Sequence, residues 1–322
     1  MLGAASISVL YGNENVNGGV RGGGRFALGA WLNNAETLGI GASTFLLSNR
    51  SSDFLAASSG NPILARPVYD VTFPGPAAQI FAFSNLVSGQ IDISTTTELV
   101  GADGFARINL TRTQQDLRRF QVDALAGFRF LQMRDSLNIN ESITSTEVSE
   151  LAPPAGTTFQ VVDQFATENR FYGGDLGLQW QFASGRLYVD LVTKLAIGVT
   201  NRTTSIGGTT RISQPGLPTE AYNGGLLALD TNSGRHADSE FSIVPELRFN
   251  LGYRITDRLR VSAGYTLLYW TRVARAGDQV DLRLNPNYLP PVTGGGALLP
   301  TYLGRTTNFW AQGLNLSLAF NF

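Results

Sequence analysis

The chain has 322 residues with 24 Lys+Arg against 25 Asp+Glu, a balance that removes any bulk-charge argument for a nucleic-acid partner. It contains no cysteine, which excludes a disulfide framework and thiolate metal sites. No segment approaches the roughly 18 consecutive apolar residues of a transmembrane helix, an absence that leaves strand-built membrane proteins open.

Taken in order, residues 7–11 (ISVLY) read as a short first strand. From Arg25, Phe26, Leu28, Ala30 and Leu32 share one parity, which in a strand means one face. A tight turn at NNAE (33–36) leads into Leu38, Ile40, Ala42 and Leu46, and a large Ser/Ala/Pro/Gly-rich loop is expected over 48–89. Val100, Ala102, Ala106, Ile108 and Leu110 then alternate with Asp103, Arg107 and Asn109. After a turn at 114–116, Phe120, Val122, Ala124, Ala126, Phe128 and Phe130 alternate with Arg119, Gln121, Asp123 and Arg129. Residues 138–162 are polar and read as a second long loop.

The pattern continues with Tyr172, Leu176, Leu178, Trp180 and Phe182 opposing Asp175, Gln179 and Gln181. Beyond a turn at SGR (184–186), Leu187, Val189, Leu191, Leu195, Ile197 and Val199 oppose Tyr188, Asp190, Lys194 and Thr200. A loop over 203–238 precedes Leu247, Phe249, Leu251 and Tyr253, set against Glu246, Arg248, Asn250 and Arg254. A turn at 256–258 precedes Leu259, Val261, Ala263, Tyr265, Leu267 and Tyr269, set against Arg260, Thr266 and Arg272. A last loop, 276–305, leads to the terminal strand, where Leu314, Leu316, Leu318, Phe320 and Phe322 form one apolar parity.

Short and long connections alternate, which in an up-and-down sheet gathers the long loops at one end, the pattern of short periplasmic turns and long extracellular loops. The alternating runs exceed the roughly five or six residues of an ordinary strand and suffice for the 9–11 that cross a bilayer. Aromatic residues gather near the ends of the stripes (Trp180/Phe182, Tyr265/Tyr269, Phe320/Phe322), where a membrane interface would lie. The expectation is an all-β, transmembrane, up-and-down antiparallel barrel of about ten strands, one domain over 1–322, with the apolar parity toward lipid and the charged parity inside.

The terminal alternation ending on Phe322 resembles the closing strand of a bacterial outer-membrane barrel. The stretches LAGFRFLQMRDSLNI (125–139), DQFATENRFYGGDLGLQW (163–180) and the run from 224 to 281, with GGRFALGAWL and FWAQGLNLSLAF, are similar to the BBP7 family of β-barrel porins from planctomycete bacteria. The resemblance implies residence in the bacterial outer membrane, lipid and the outer-membrane assembly machinery as partners through the strand ending at Phe322, and porin-like passage of small solutes. It brings no catalytic or binding residues. It also implies a signal peptide and a Trp-containing first strand ahead of Gly3, which are expected to be missing here.

The lumen candidates are Arg25, Asp103, Arg107, Arg119, Asp123, Arg129, Asp175, Asp190, Lys194, Glu246, Arg248, Arg254, Arg260 and Arg272. Their basic excess fits a narrow channel biased toward anions. Barrels near eight strands are about filled by side chains, so Arg–carboxylate pairs that plug the barrel are the alternative, leaving a structural scaffold whose long loops mediate interaction or adhesion. His236 in a polar loop reads as solvated rather than catalytic, and no Ser is marked out as its partner. The glycine runs at 18–24 and 294–296 open no helix and cradle no phosphate, and Asp278 and Asp281 are too sparse for calcium. No enzyme activity, metal or cofactor is expected.

Overall fold

A computed structural model describes residues 8–12, 18–146 and 153–321. Among the described residues thirteen strands run in chain order: β1 (Gly23–Trp31), β2 (Leu38–Ser58), β3 (Leu64–Asp70), β4 (Gly75–Ala82), β5 (Val87–Gln115), β6 (Arg118–Ser145), β7 (Thr158–Ser184), β8 (Leu187–Ser213), β9 (Glu220–Asn223), β10 (Gly234–Arg254), β11 (Leu259–Val273), β12 (Arg283–Leu284) and β13 (Thr307–Phe320). No helix among the described residues is long and apolar enough to cross a membrane.

Nine strands form one antiparallel path, β1-β2-β5-β6-β7-β8-β10-β11-β13, with β9 appended to β8. These are the nine runs that parity picks out in the sequence. The remaining expectation of a strand over 7–11 is corrected: Ile7 lies outside the described residues, and positions 8–11 are extended or bent chain without strand pairing. Among the described residues the sheet is an open path with β1 and β13 as its edges, and no β1–β13 pairing closes it.

The sheet nevertheless curls. Arg25 on β1 meets Glu246 on β10 at 2.9 Å, although five strands separate the two in sheet order. Phe45 and Leu47 of β2 pack in the same cluster as Phe309 and Ala311 of β13. Only a sheet wound round an interior brings its far ends together in this way.

Register aligns the outward apolar residues into a belt. Ala102, Phe130, Tyr172, Val199 and Phe241 form one continuous row across five strands. Toward the short turns a parallel row runs Phe120, Phe182 and Val189, ending at Leu251. The stripes between them, 100–110, 120–130 and 172–182, match the 9–11 residues a tilted strand needs to cross a hydrocarbon core. On β13, Leu314 and Leu316 are 89% and 91% exposed. An apolar belt this continuous is untenable against water and suits lipid.

Three of the expected long loops are corrected. Residues 138–162 are mostly the paired ends of β6 and β7, residues 203–238 hold the end of β8, β9 and the start of β10, and residues 48–89 hold the end of β2, the hairpin β3–β4 and the start of β5. Strands β5 to β8 each run 27–29 residues, about 90 Å of chain at roughly 3.3 Å per residue, far beyond a bilayer crossing. The physical reason is that the alternation persists while its meaning reverses. On β6 the outward residues pass from Phe128 and Phe130 to Gln132, Arg134, Ser136 and Asn138, while the inward ones pass from Asp123 and Arg129 to Leu131, Met133, Ile139 and Ile143. Outside the belt the sheet obeys water, and its core lies inside.

That upper interior is filled. The hairpin β3–β4 lies against the inner face, with Leu64, Phe81 and Ala82 packed on Ile91, Ile93, Ile139 and Ile143. Val68 joins Val161, Phe165, Ile206, Leu226–Leu229 and Leu284 in a second cluster. The connection between β11 and β13, expected as open loop, carries short 310 turns at Gly277–Gln279 and Pro286–Tyr288 and lends β12 to β3, so it belongs to the same filling.

Candidate functional site: the interior

From the short turns upward, the interior is layered. At its base Arg107 faces Asp123 at 3.3 Å and bonds Gln179, while Gln179 and Gln181 donate to Asp190 at 2.5 and 3.2 Å. Asp123 also accepts from Asn109 and from Gln121, and Arg119 donates to Gln121 at 2.8 Å. Arg254 and Arg260 stand opposite one another in register, with Arg260 against the Tyr188 ring, so the short-turn mouth is basic.

Above this lies a charge cluster whose carboxylates, Lys194 and Arg129 are buried. Lys194 bridges Asp103 and Asp175 at 2.7 and 2.9 Å, and Ser43 donates to Asp103 at 2.7 Å. Arg129 bridges Asp175 and Glu246 at 3.3 and 2.6 Å, and Glu246 also takes Arg25 at 2.9 Å and Arg248 at 3.3 Å. Four cations thus meet three carboxylates contributed by β1, β5, β6, β7, β8 and β10. The Arg129–Glu246 approach is short, yet its atoms are not aligned as hydrogen bonds, so charge rather than bond geometry holds the pair. Low dielectric makes such charges expensive singly and tolerable only together.

The next layer is apolar. Leu99, Leu131, Met133, Phe171, Ala196, Val244, Leu268 and Trp270 form one cluster across the lumen, Phe171 meeting Trp270 edge-on at 6.2 Å. Trp270 spends its indole N–H on Thr200 at 2.9 Å and is 0% exposed. The polar groups at this height, Thr200 and Asn169, are buried and bonded to Trp270 and to the Ala274 backbone.

Over it sit two latches that tie the filling segments to the wall. Asp135 of β6 accepts from Thr97 at 2.6 Å, from the Arg275 guanidinium at 2.9 Å and from the Ala276 N–H at 3.0 Å. Higher up, Arg66 of β3 reaches Glu141 at 2.9 Å and Asp163 at 2.8 Å. The other oxygen of Asp163 accepts from three successive backbone N–H groups, Leu226, Leu227 and Ala228, at 2.9, 2.9 and 2.8 Å. Asp163 therefore anchors both the hairpin and the 224–229 segment. Gly225 makes this possible, because a Cβ there would collide with the Asp163 Oδ1. Glu141 is pushed above the ordinary carboxyl range chiefly by burial, partly offset by Arg66.

Arg66 and Glu141 are absent from the sequence-derived candidates because they fall in segments expected as loops, and Asp135, Asp163 and Arg275 because they lie just beyond the apolar stripes. The usable clue was parity: Asp163 and Asp175 share it on β7, as Asp135 and Arg129 share it on β6. Arg272 is placed apart from the central cluster. It sits at a register irregularity near the end of β11 with φ 59°, half-exposed, paired with Glu240 at 3.0 Å. His236 is not simply solvated; it lies in β10, stacks on Tyr302 at 4.0 Å and bonds the Asn232 carbonyl. Among the described residues no group of three or more His, Asp or Glu is arranged to hold a metal ion.

Residues 1–322 match the family described as Putative beta barrel porin-7 (BBP7). No curated protein and no solved structure matches the chain.

Proposed function

The chain belongs to the β-barrel porin-7 family over its whole length, and from that premise we propose an outer-membrane barrel shut by its own interior, which holds an elaborated extramembrane sheet and its loops at the cell surface for structural support or contact. The observation that carries this reading is Asp163, whose two oxygens hold two separate filling segments against the wall. The apolar layer around Trp270 supports it, since hydrophobic constrictions oppose ions by dewetting. The edge strand β13, its leucines almost fully exposed, is the surface offered to lipid and to the assembly machinery during insertion. The test is single-channel recording of refolded protein in planar bilayers. A silent membrane is expected over a range of voltage and salt, and steady ohmic steps from the unaltered chain would overturn the closed-barrel reading.

A second reading, selective passage of small anions, is favoured by the basic short-turn mouth of Arg119, Arg254 and Arg260 and by the cation excess of the buried cluster. It predicts an anion-selective reversal potential in a salt gradient whenever steps appear.

A further inference from the structure

Directly above the lipid-facing belt, on the outer wall, lies a concave trough of about 560 Å³. Its walls are mostly outward residues of β5 to β8 and β10, among them Glu98, Arg134, Glu168, Arg170 and Arg235. Register fixes its height. Gln132 and Arg170 are paired one outward row above Phe130 and Tyr172, and Arg134 and Glu168 are paired one row higher. At roughly 3.3 Å per residue and a strand tilt near 40°, these rows stand about 5 and 10 Å above the belt's aromatic rim. A headgroup layer of roughly 5–8 Å per leaflet takes in the lower row and ends just short of the upper one.

The charges are organised rather than scattered. Glu168 accepts from Arg134 Nε at 3.0 Å, from Arg170 at 2.9 Å and from Gln132 at 2.5 Å. Burial disfavours ionisation of Glu168, but these three donors outweigh it and hold the carboxyl below its usual range. Each guanidinium has five donors and gives one of these bonds to Glu168, and Arg134 also stands 3.9 Å from Glu98, so most of their N–H groups are left for a ligand. Arg134 and Arg170 remain about half exposed, at 56% and 46%. Arg235 brings the guanidiniums to three beside Glu98, Glu168 and Asp135, the last already engaged by Arg275 and Thr97, and Thr96, Ser136 and Ser205 line the same trough.

We propose that this trough seats the anionic phosphate headgroup of a lipid in the leaflet on the long-strand side, with Arg134 and Arg170 as its fork-shaped donors and Glu168 as the residue that positions them. Planar guanidiniums match phosphate oxygens in pairs, and placement at headgroup depth favours a lipid over a free ion. The inference rests on the membrane-barrel reading but not on whether the lumen is closed.

The test is native mass spectrometry of protein released from phosphatidylcholine nanodiscs doped with phosphatidylglycerol. Retention of phosphatidylglycerol over phosphatidylcholine is expected for the unaltered protein, and the preference should fall roughly tenfold or more in the Arg134→Gln/Arg170→Gln variant. Arg258→Gln, in the turn at the opposite end, should leave it unchanged. Equal retention by the double variant would overturn the proposal, and so would displacement of the lipid by inorganic phosphate alone, which would mark a free-anion site. If the double variant does not fold, Arg235→Gln, outside the Glu168 hydrogen-bond set, must show a smaller loss of the same preference. Failure of the barrel reading itself is read separately, as identical gel migration of boiled and unboiled samples.

Discussion

Asp163 shows how much one buried carboxylate can organise. Three backbone N–H groups and one guanidinium converge on it, so replacing it removes the acceptor for two segments at once. Breaking a buried ion pair by deleting one partner costs about 3–5 kcal/mol. Asp163→Asn is therefore expected to lower unfolding stability in denaturant titration by about that much and to expose the β3–β4 hairpin to protease. Gly225→Ala should mimic the second effect through collision alone. Two further carboxyls make opposite statements about pH. Glu141 is raised in the fold, so its ionised form costs stability at neutral pH, and that cost is relieved as pH falls through the raised value toward the ordinary 4.5. Asp281 is lowered: burial opposes its charge, but bonds from Arg283 and the Thr301 N–H prevail. Its contribution is present above 3.8 and lost as pH falls through the depressed value. Thermal midpoints of the extramembrane part should thus rise on mild acidification and fall below the ordinary aspartate range, and Glu141→Gln should abolish the rise.

At the scale of the element, what the sequence made legible was parity, and what it hid was a change in what parity means. The nine membrane strands could be read because Leu187, Val189, Leu191, Leu195, Ile197 and Val199 all fall on one side of β8. The same strand continues to Ser213, but its outward residues become Asn201, Thr203 and Ser205, and its inward ones include Ile206. A search for an outward apolar stripe stops at Val199 and names the remainder a loop. The central cluster was legible because Lys194 and Asp175 fall within the stripes; the Asp163 and Asp135 latches were not, because they fall beyond them. The hairpin β3–β4 was concealed by its Pro, Ala and Gly content, which describes a loop as well as it describes short strands. The absence of native cysteine permits a direct check. In bilayers, a cysteine at Leu195 should resist a water-soluble thiol reagent, while one at Ser205, on the same face ten positions later, should react. Equal reactivity would remove the belt boundary from β8.

At the scale of the molecule, the interior reads as a sequence of materials: polar base, buried charges, apolar layer, latches and filling hairpin. The buried charges are mutually dependent, since Lys194 serves two carboxylates and Glu246 serves three guanidiniums. Lys194→Met should cost about 3–5 kcal/mol by stranding Asp103 and Asp175, and a Lys194→Met/Asp103→Asn/Asp175→Asn variant should recover much of that loss. Thermal loss of the compact gel form is the measurement. Recovery would identify the cluster as a self-compensating filling; no recovery would identify Lys194 as needed for more than its two partners.

The pairing of β5 with β6, continuous in register from Val87 and Ser145 down to Asn109 and Asp123, also has a mechanical meaning. A pull on the surface end, directed along the strands, loads the ladder bonds together rather than one after another. The membrane belt and the projecting sheet then resist as one beam, with no hinge at the water boundary. Force spectroscopy on the projecting end should therefore show one high rupture event rather than a staircase.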